Sequence, residues 1–174
     1  DQYNYSDLSN EIYINTGGIN FYVDALTKNM DWQKYYPKFV VKSKVLVDKL
    51  PRLFEILKDI LCSSKFGEEK RLKEIIQETR SQLEMRIFDR GHMVAAKRLY
   101  SYFSPAGYYI ELLGGIAYYK FIKDLEKNFN SRAEEIKSKL QKVAELIFNR
   151  RGLVMSLTCE EDDYYKNEET IMSF

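Results

Sequence analysis

Arg90 to Ile116 reads RGHMVAAKRLYSYFSPAGYYIELLGGI. Two readings compete for it: a reactive centre around His92, the only histidine of the chain, or a corner between two helices. Pro105 has no N–H to donate and pushes the residue before it out of the α region, so a helix arriving from upstream must stop near Phe103. Ser104 then suits the N-cap of a following helix and Pro105 its first position. His92 would lie more than three turns before that corner, about 18 Å from Ser104 at about 1.5 Å per residue. A His92–Ser104 catalytic pair within one chain does not fit that spacing. The stretch reads as a helical hairpin, with His92 a packing or surface residue.

Outward from the corner, helical period dominates. Leu72, Ile75, Ile76, Thr79, Leu83, Ile87 and Val94 recur at three- and four-residue steps with charges between them, which predicts one long helix over 68–102. Gly91 inside it costs about 1 kcal/mol, which a helix can absorb. A helix over 105–128 carries Gly114-Gly115, read as a close helix contact. Ser131 and Glu134 form a capping-box pattern ahead of a helix over 131–149. Before the long helix, Leu50, Leu53, Phe54, Leu57, Ile60 and Leu61 predict a helix over 49–66, with Asp48 as cap and Pro51 in its first turn.

Strand period appears at both ends. Residues 11–25, EIYINTGGINFYVDA, alternate apart from a one-residue slip at Gly17-Gly18, the pattern of a strand with a bulge or sharp bend. Residues 38–47 alternate with Phe39, Val41, Val45 and Val47 on one side, and pair antiparallel with the first strand. Leu153, Met155, Leu157 and Cys159 alternate within a third strand, 152–159; a short helix follows it. The order β-β-α-α-α-α-β predicts an α+β fold. Four or five helices lie on one face of an antiparallel sheet of about three strands, within one domain, 1–174. So thin a sheet is expected to be completed from outside, by residues upstream of Asp1 or by another subunit.

The 174 residues carry 27 Lys+Arg and 26 Asp+Glu, a net charge of +1. That balance provides no electrostatic footprint for nucleic acid or a membrane surface, and KRLYSYF at 97–103 does not change it. No apolar run approaches the roughly 18 residues of a membrane span, and no signal peptide is visible. The first residue is Asp rather than Met, which fits an excised or processed piece. Cys62 and Cys159 fall on apolar faces, as two small buried thiols of a reduced protein would.

Candidate chemistry is sparse. A catalytic zinc site commonly takes at least two histidines, so H-E-x-x-H and H-x-x-E-H are impossible here, and two separated cysteines do not replace them. Ser101 and Ser104 lie in nothing like G-x-S-x-G. Gly17-Gly18 and Gly114-Gly115 lack the spacing of phosphate loops. Tyr108, Tyr109, Tyr118 and Tyr119 read as a packing surface with rings buried and hydroxyls wet. Catalytic, cofactor and metal residues are therefore all assigned as none.

The order of motifs nevertheless resembles a known family. S-N-E-I-x-I-x-T-G-G-I at 9–19 and S-P-A-G-Y-Y-x-E-L-x-G-G-I at 104–116, with the segments between, look like pitrilysin/insulinase-type metallopeptidases of the presequence-protease subfamily, from about Tyr5 to about Tyr164. The resemblance implies a two-halved enzyme that encloses short unfolded peptides. Its zinc would be held by H-x-x-E-H and a later Glu in the N-terminal half. The present segment would be most of the third domain, in the non-catalytic second half, with the opening strands upstream of Asp1. It further implies a structural and substrate-enclosing role, the remaining domains and unfolded peptides as partners, and the bacterial cytoplasm or an organelle matrix as location. The residues leave two other readings open: a freestanding interaction module using the Tyr-rich hairpin, and an enzyme using His92 with a carboxylate.

Overall fold

The computed structural model describes residues 5–174. Among them the order is α1 (Tyr5–Asn15), β1 (Ile19–Lys28), β2 (Asp31–Ser43), α2 (Leu50–Ser63), α3 (Glu69–Asp89), α4 (Gly91–Tyr100), α5 (Pro105–Gly114), α6 (Ile116–Lys127), α7 (Phe129–Ile147) and α8 (Glu161–Ser173). The fold is α+β but mostly helical: an antiparallel two-stranded hairpin, with seven helices after it. The expected three-stranded sheet is not present among the described residues. Residues 152–159 are extended or turn backbone without a strand partner.

The described chain divides into two compact units. The first holds residues up to Phe21, Val41–Ser64 and Lys142–Phe174; the second holds Tyr22–Val40 and Lys65–Gln141.

In the first unit the expected strand 11–25 is replaced over its first half by α1. Alternation of Ile12 and Ile14 misled because the residues that count are four apart. Leu8 and Ile12 are half-buried while Tyr13 and Ile14 are exposed. The Asn15 amide donates to the Glu11 carboxylate one turn back at 3.0 Å. Arg52 of α2 reaches the same carboxylate at 2.6 Å, holding α1 on α2. The Gly17-Gly18 slip is therefore a helix-to-strand junction, not a bulge inside a strand. The Thr16 hydroxyl donates to the Ile12 carbonyl at 2.7 Å, the Gly17 N–H donates to the Lys44 carbonyl at 2.8 Å, and Gly18 turns the chain at φ +98°. Only glycine adopts that angle without strain.

Leu50, Leu53 and Leu57 of α2 form this unit's core with Ile171 of α8; Phe54 stacks on Phe174 with ring centroids 4.6 Å apart. Pro51 sits in the first turn of α2, as expected, but Asp48 does not cap it. Asp48 belongs to a preceding 3-10 turn, and the N-cap is Lys49. Cys62 and Cys159 are both exposed, which corrects the expectation of two buried thiols. Cys62 lies in the last turn of α2, away from the Leu50–Leu57 face.

In the second unit α3 packs along α6 and the start of α7. Ile76 and Leu83 of α3 meet Ile122 and Leu125 of α6 and Phe129, Ala133 and Ile136 of α7. Burying such side chains contributes about 1.5–3 kcal/mol each. Arg80 braces the edge, with Nε 2.7 Å from Glu126 and a second nitrogen 2.6 Å from Glu84. The capping box at Ser131 does not form, because α7 begins two residues earlier with Phe129 in the core. Glu134 pairs with Lys137 instead.

Two long helices foreseen as continuous are each broken once. The helix over 68–102 breaks at Arg90, whose φ of −130° and ψ of 40° are not helical, so α4 starts at Gly91. The helix over 105–128 breaks at Gly115, with φ −102° and ψ −160°. Both breaks fall at or beside glycines, where helix propensity is weakest. The packing described next decides the second.

Candidate functional site

The corner between α4, α5 and α6 concentrates the chain's unusual chemistry. α4 ends at Tyr100 and α5 begins at Pro105, with the Ser104 hydroxyl accepting from the Gly107 N–H at 2.9 Å. This is the N-cap and first-position proline read from the sequence. Gly107 is required by proximity: a Cβ there would lie 2.5 Å from the Tyr100 carbonyl oxygen. The absence of a side chain lets α5 fold directly against the end of α4.

One turn further along α5 stands Glu111, which is 0% exposed. Its Oε1 accepts the Ala117 N–H at 3.2 Å and lies 3.6 Å from a guanidinium nitrogen of Arg98 on α4. Oε2 has no hydrogen-bond partner among the described residues. It rests over Gly115, where a Cβ would come within 1.6 Å of it. The break at Gly115 thus makes room for a carboxylate that reaches back to the first turn of α6. That turn presents unpaired N–H groups and the positive end of the helix dipole, which favour a negative charge. One side chain therefore links three helices: it belongs to α5, caps α6 and pairs with α4.

Around this corner the surface is apolar and aromatic. Tyr102 is 70% exposed and Phe103 66%; Tyr100, Tyr108 and Leu99 are also exposed. Arg98 lies over the Tyr102 ring at 5.3 Å, a cation–π contact. Deeper in the same unit the expectation of buried rings with wet hydroxyls holds for Tyr119, which packs on the core and donates to Glu84 at 2.9 Å. That hydrogen bond, more than the nearby Arg80, holds the Glu84 carboxyl below its usual range. Tyr109 rests against Tyr35 of β2, centroids 5.5 Å apart. Tyr108 departs from the expectation.

Nothing here assembles a nucleophile or a metal centre. His92 is exposed in the first turn of α4. Ser104 is spent on its cap, and the Ser101 hydroxyl donates to the Arg98 carbonyl at 2.7 Å. Among the described residues no group of three or more His, Cys, Asp or Glu is placed to hold a metal ion. The described residues thus do not fit a zinc site. No helix of the described residues is long and apolar enough to cross a membrane. Sequence reasoning missed Glu111. The available signal was a lone acid in the apolar run AGYYIELLGGIA, four residues before a glycine.

The corner is thus built on two glycines and a buried carboxylate that joins α4, α5 and α6. The chain belongs to the family of segments associated with the peptidases of family M16, subfamily C, whose model matches residues 1–125. It is 33% identical over 171 residues to Protein HypA of Clostridium perfringens, covering 98% of this chain and 17% of that protein. It is 27% identical over 160 residues to presequence protease 1, chloroplastic/mitochondrial, of Arabidopsis thaliana, covering 91% of this chain and 15% of that protein. It is likewise 27% identical over 168 residues to the mitochondrial presequence protease of Yarrowia lipolytica, covering 96% and 17%. The chain thus spans about a sixth of the length of these relatives.

Proposed function

We propose that these 174 residues act as one structural, substrate-enclosing domain of a longer zinc endopeptidase of the pitrilysin/insulinase type. That enzyme would degrade short unfolded peptides, and the segment itself would be non-catalytic. The observation that carries this reading is the alignment of nearly the whole chain with about a sixth of proteins named presequence protease. The zinc and its ligands belong, on this reading, to another part of the longer polypeptide. The role of this segment is then to hold a surface in place. The α3–α6–α7 core and the Glu111 corner fix a rigid helical body, and its exposed aromatic edge faces neighbouring domains or the enclosed peptide. The matching compartment is the cytoplasm of a bacterium or the matrix of an organelle.

A second reading, a freestanding interaction module, draws on one observation: Tyr100, Tyr102, Phe103 and Tyr108 stand exposed at one corner, and tyrosine-rich apolar surfaces are common at interfaces. Peptide cleavage separates the two. The longer polypeptide is expected to cut unstructured peptides in a chelator-sensitive manner, and the 174-residue chain with added zinc is expected to cut none. Cleavage by the short chain alone would overturn the non-catalytic assignment. A longer polypeptide without chelator-sensitive activity would leave the interaction module as the better reading.

A further inference from the structure

A cavity of about 330 Å³ opens at the start of α6, lined by Arg98, Ile116, Ala117 and Lys120. That volume matches the smaller ligand sites of proteins, about 300 Å³ and upward. Arg98 comes from α4 and the other three residues from the first two turns of α6, all within the second unit. Between Asp89 and Asp124, Glu111 is the only acid, set against Arg90, Lys97, Arg98, Lys120 and Lys123. Glu111 answers Arg98 alone, and loosely: their 3.6 Å separation exceeds that of a charged hydrogen bond, about 2.7–2.9 Å. Among the described residues the Lys120 ammonium makes no ion pair and no hydrogen bond. Elsewhere in the same unit Arg80, Arg132 and Lys137 each hold two acids.

One wall of this cavity is the positive end of α6. Its N-cap, Gly115, offers no side-chain acceptor, and Glu111 Oε1 takes one N–H of the first turn, that of Ala117. A helix start has several N–H groups without an intrahelical partner, and it holds carboxylates well. Glu111 also leaves an acceptor of its own open, since Oε2 is buried without a hydrogen bond. The last residue of a peptide matches both demands. Its carboxylate suits a guanidinium, an ammonium and a helix end, and its N–H is the donor that Oε2 lacks. We infer that this cavity binds the C-terminal carboxylate of an unfolded peptide. The inference deepens the proposed peptide-enclosing role and rests on it, because every peptide, whatever its sequence, carries that group. Tyr102, exposed with its ring 5.3 Å from the Arg98 guanidinium, offers an apolar face to the residues before the terminus.

Peptide binding to the longer polypeptide, held in chelator so that nothing is cut, tests this. An unstructured peptide with a fluorescent label at its N-terminus is titrated once as the free acid and once as the C-terminal amide, and read by anisotropy. The free acid is expected to bind about tenfold more tightly, the worth of one charged hydrogen bond. Lys120→Gln should shrink that ratio to about threefold or less, and it leaves the contact between Arg98 and Glu111 in place. Arg98→Gln should act in the same direction, with thermal unfolding as the control for its fold. Equal binding of acid and amide would overturn the inference, and the proposed function would stand if the polypeptide without chelator still cut both. A ratio that survives both variants would also overturn it, by placing the terminus elsewhere. So would a preference that disappears when internal Asp and Glu of the peptide are replaced by Asn and Gln, which would assign the cavity to side-chain carboxylates. A preference for the free acid that depends on Lys120, in a polypeptide that cuts no peptide with zinc restored, would uphold the site and overturn the proposed function.

Discussion

Oε2 of Glu111 lies where a side chain of Gly115 would begin: a Cβ on Gly115 would sit 1.6 Å from it. The buried acid and the glycine are one feature, since neither position tolerates the other's change independently. Gly115→Ala is expected to destabilise the chain by about 2 kcal/mol or more. Gly114→Ala should stay within about 1 kcal/mol of wild type, because its Cβ would meet only the flexible end of Lys97 at 3.7 Å. Denaturant unfolding of the two variants and of a Glu111→Ala/Gly115→Ala double mutant checks this. The double mutant should lose less than the sum of the singles, because removing the carboxylate empties the space the new methyl needs. Strict additivity would mean that the two residues do not share that space.

Gly18 holds φ at +98° with open space where a Cβ would go, so any cost of substitution there is conformational rather than steric. Gly18→Val should lower stability by more than about 1 kcal/mol. Gly152→Ala, also with open space but without a positive φ, should change it by less than about 1 kcal/mol. Equal effects in thermal unfolding would contradict a backbone origin.

His92 is exposed on α4. In the longer polypeptide, His92→Ala is expected to leave kcat for peptide cleavage near wild type. A loss of a hundredfold or more in kcat with folding intact would show that this helix reaches the chemistry.

The chain on its own should hold no stoichiometric zinc. One histidine and two separated cysteines cannot complete a four-ligand site, and no acidic cluster among the described residues makes up the deficit. Elemental analysis after dialysis reads this directly, and one tightly held zinc per chain would reverse the assignment.

The charged side of α7 should show an acid-resistant carboxylate. Glu135 accepts hydrogen bonds from Arg132 first and from Lys139 next, and these hold its carboxyl down at about 2. A folded-state value below the unfolded one, about 4.3 for Glu, means that protonation weakens folding. The contribution is complete above the unfolded value and is lost as pH falls from there through about 2. A side-chain NMR titration of Glu135 should give a midpoint near 2; a midpoint near 4 would mean that these contacts are not held in solution. Arg132→Gln should move it upward.

The parts of this fold that local chemistry dictates were legible in the sequence. Ser104-Pro105 stops one helix and starts the next, Pro51 opens α2, and the three- and four-residue spacing through Leu72, Ile76 and Leu83 places α3 on its core. The motifs at 9–19 and 104–116 carried the family. What sequence alone could not decide were choices between locally similar alternatives. Ile12 and Ile14 alternate as a strand would, yet these residues form α1, which meets α2 where Glu11 pairs with Arg52 forty-one residues away. Gly115 permits either a continued helix or a break; burial of the Glu111 carboxylate against α6 and Arg98 selects the break. Leu153 to Cys159 has the pattern of a strand, but a strand forms only where a neighbour pairs with it, and among the described residues the one sheet is β1 with β2. Local sequence sets which conformations are cheap, while long-range partners decide which of them is occupied.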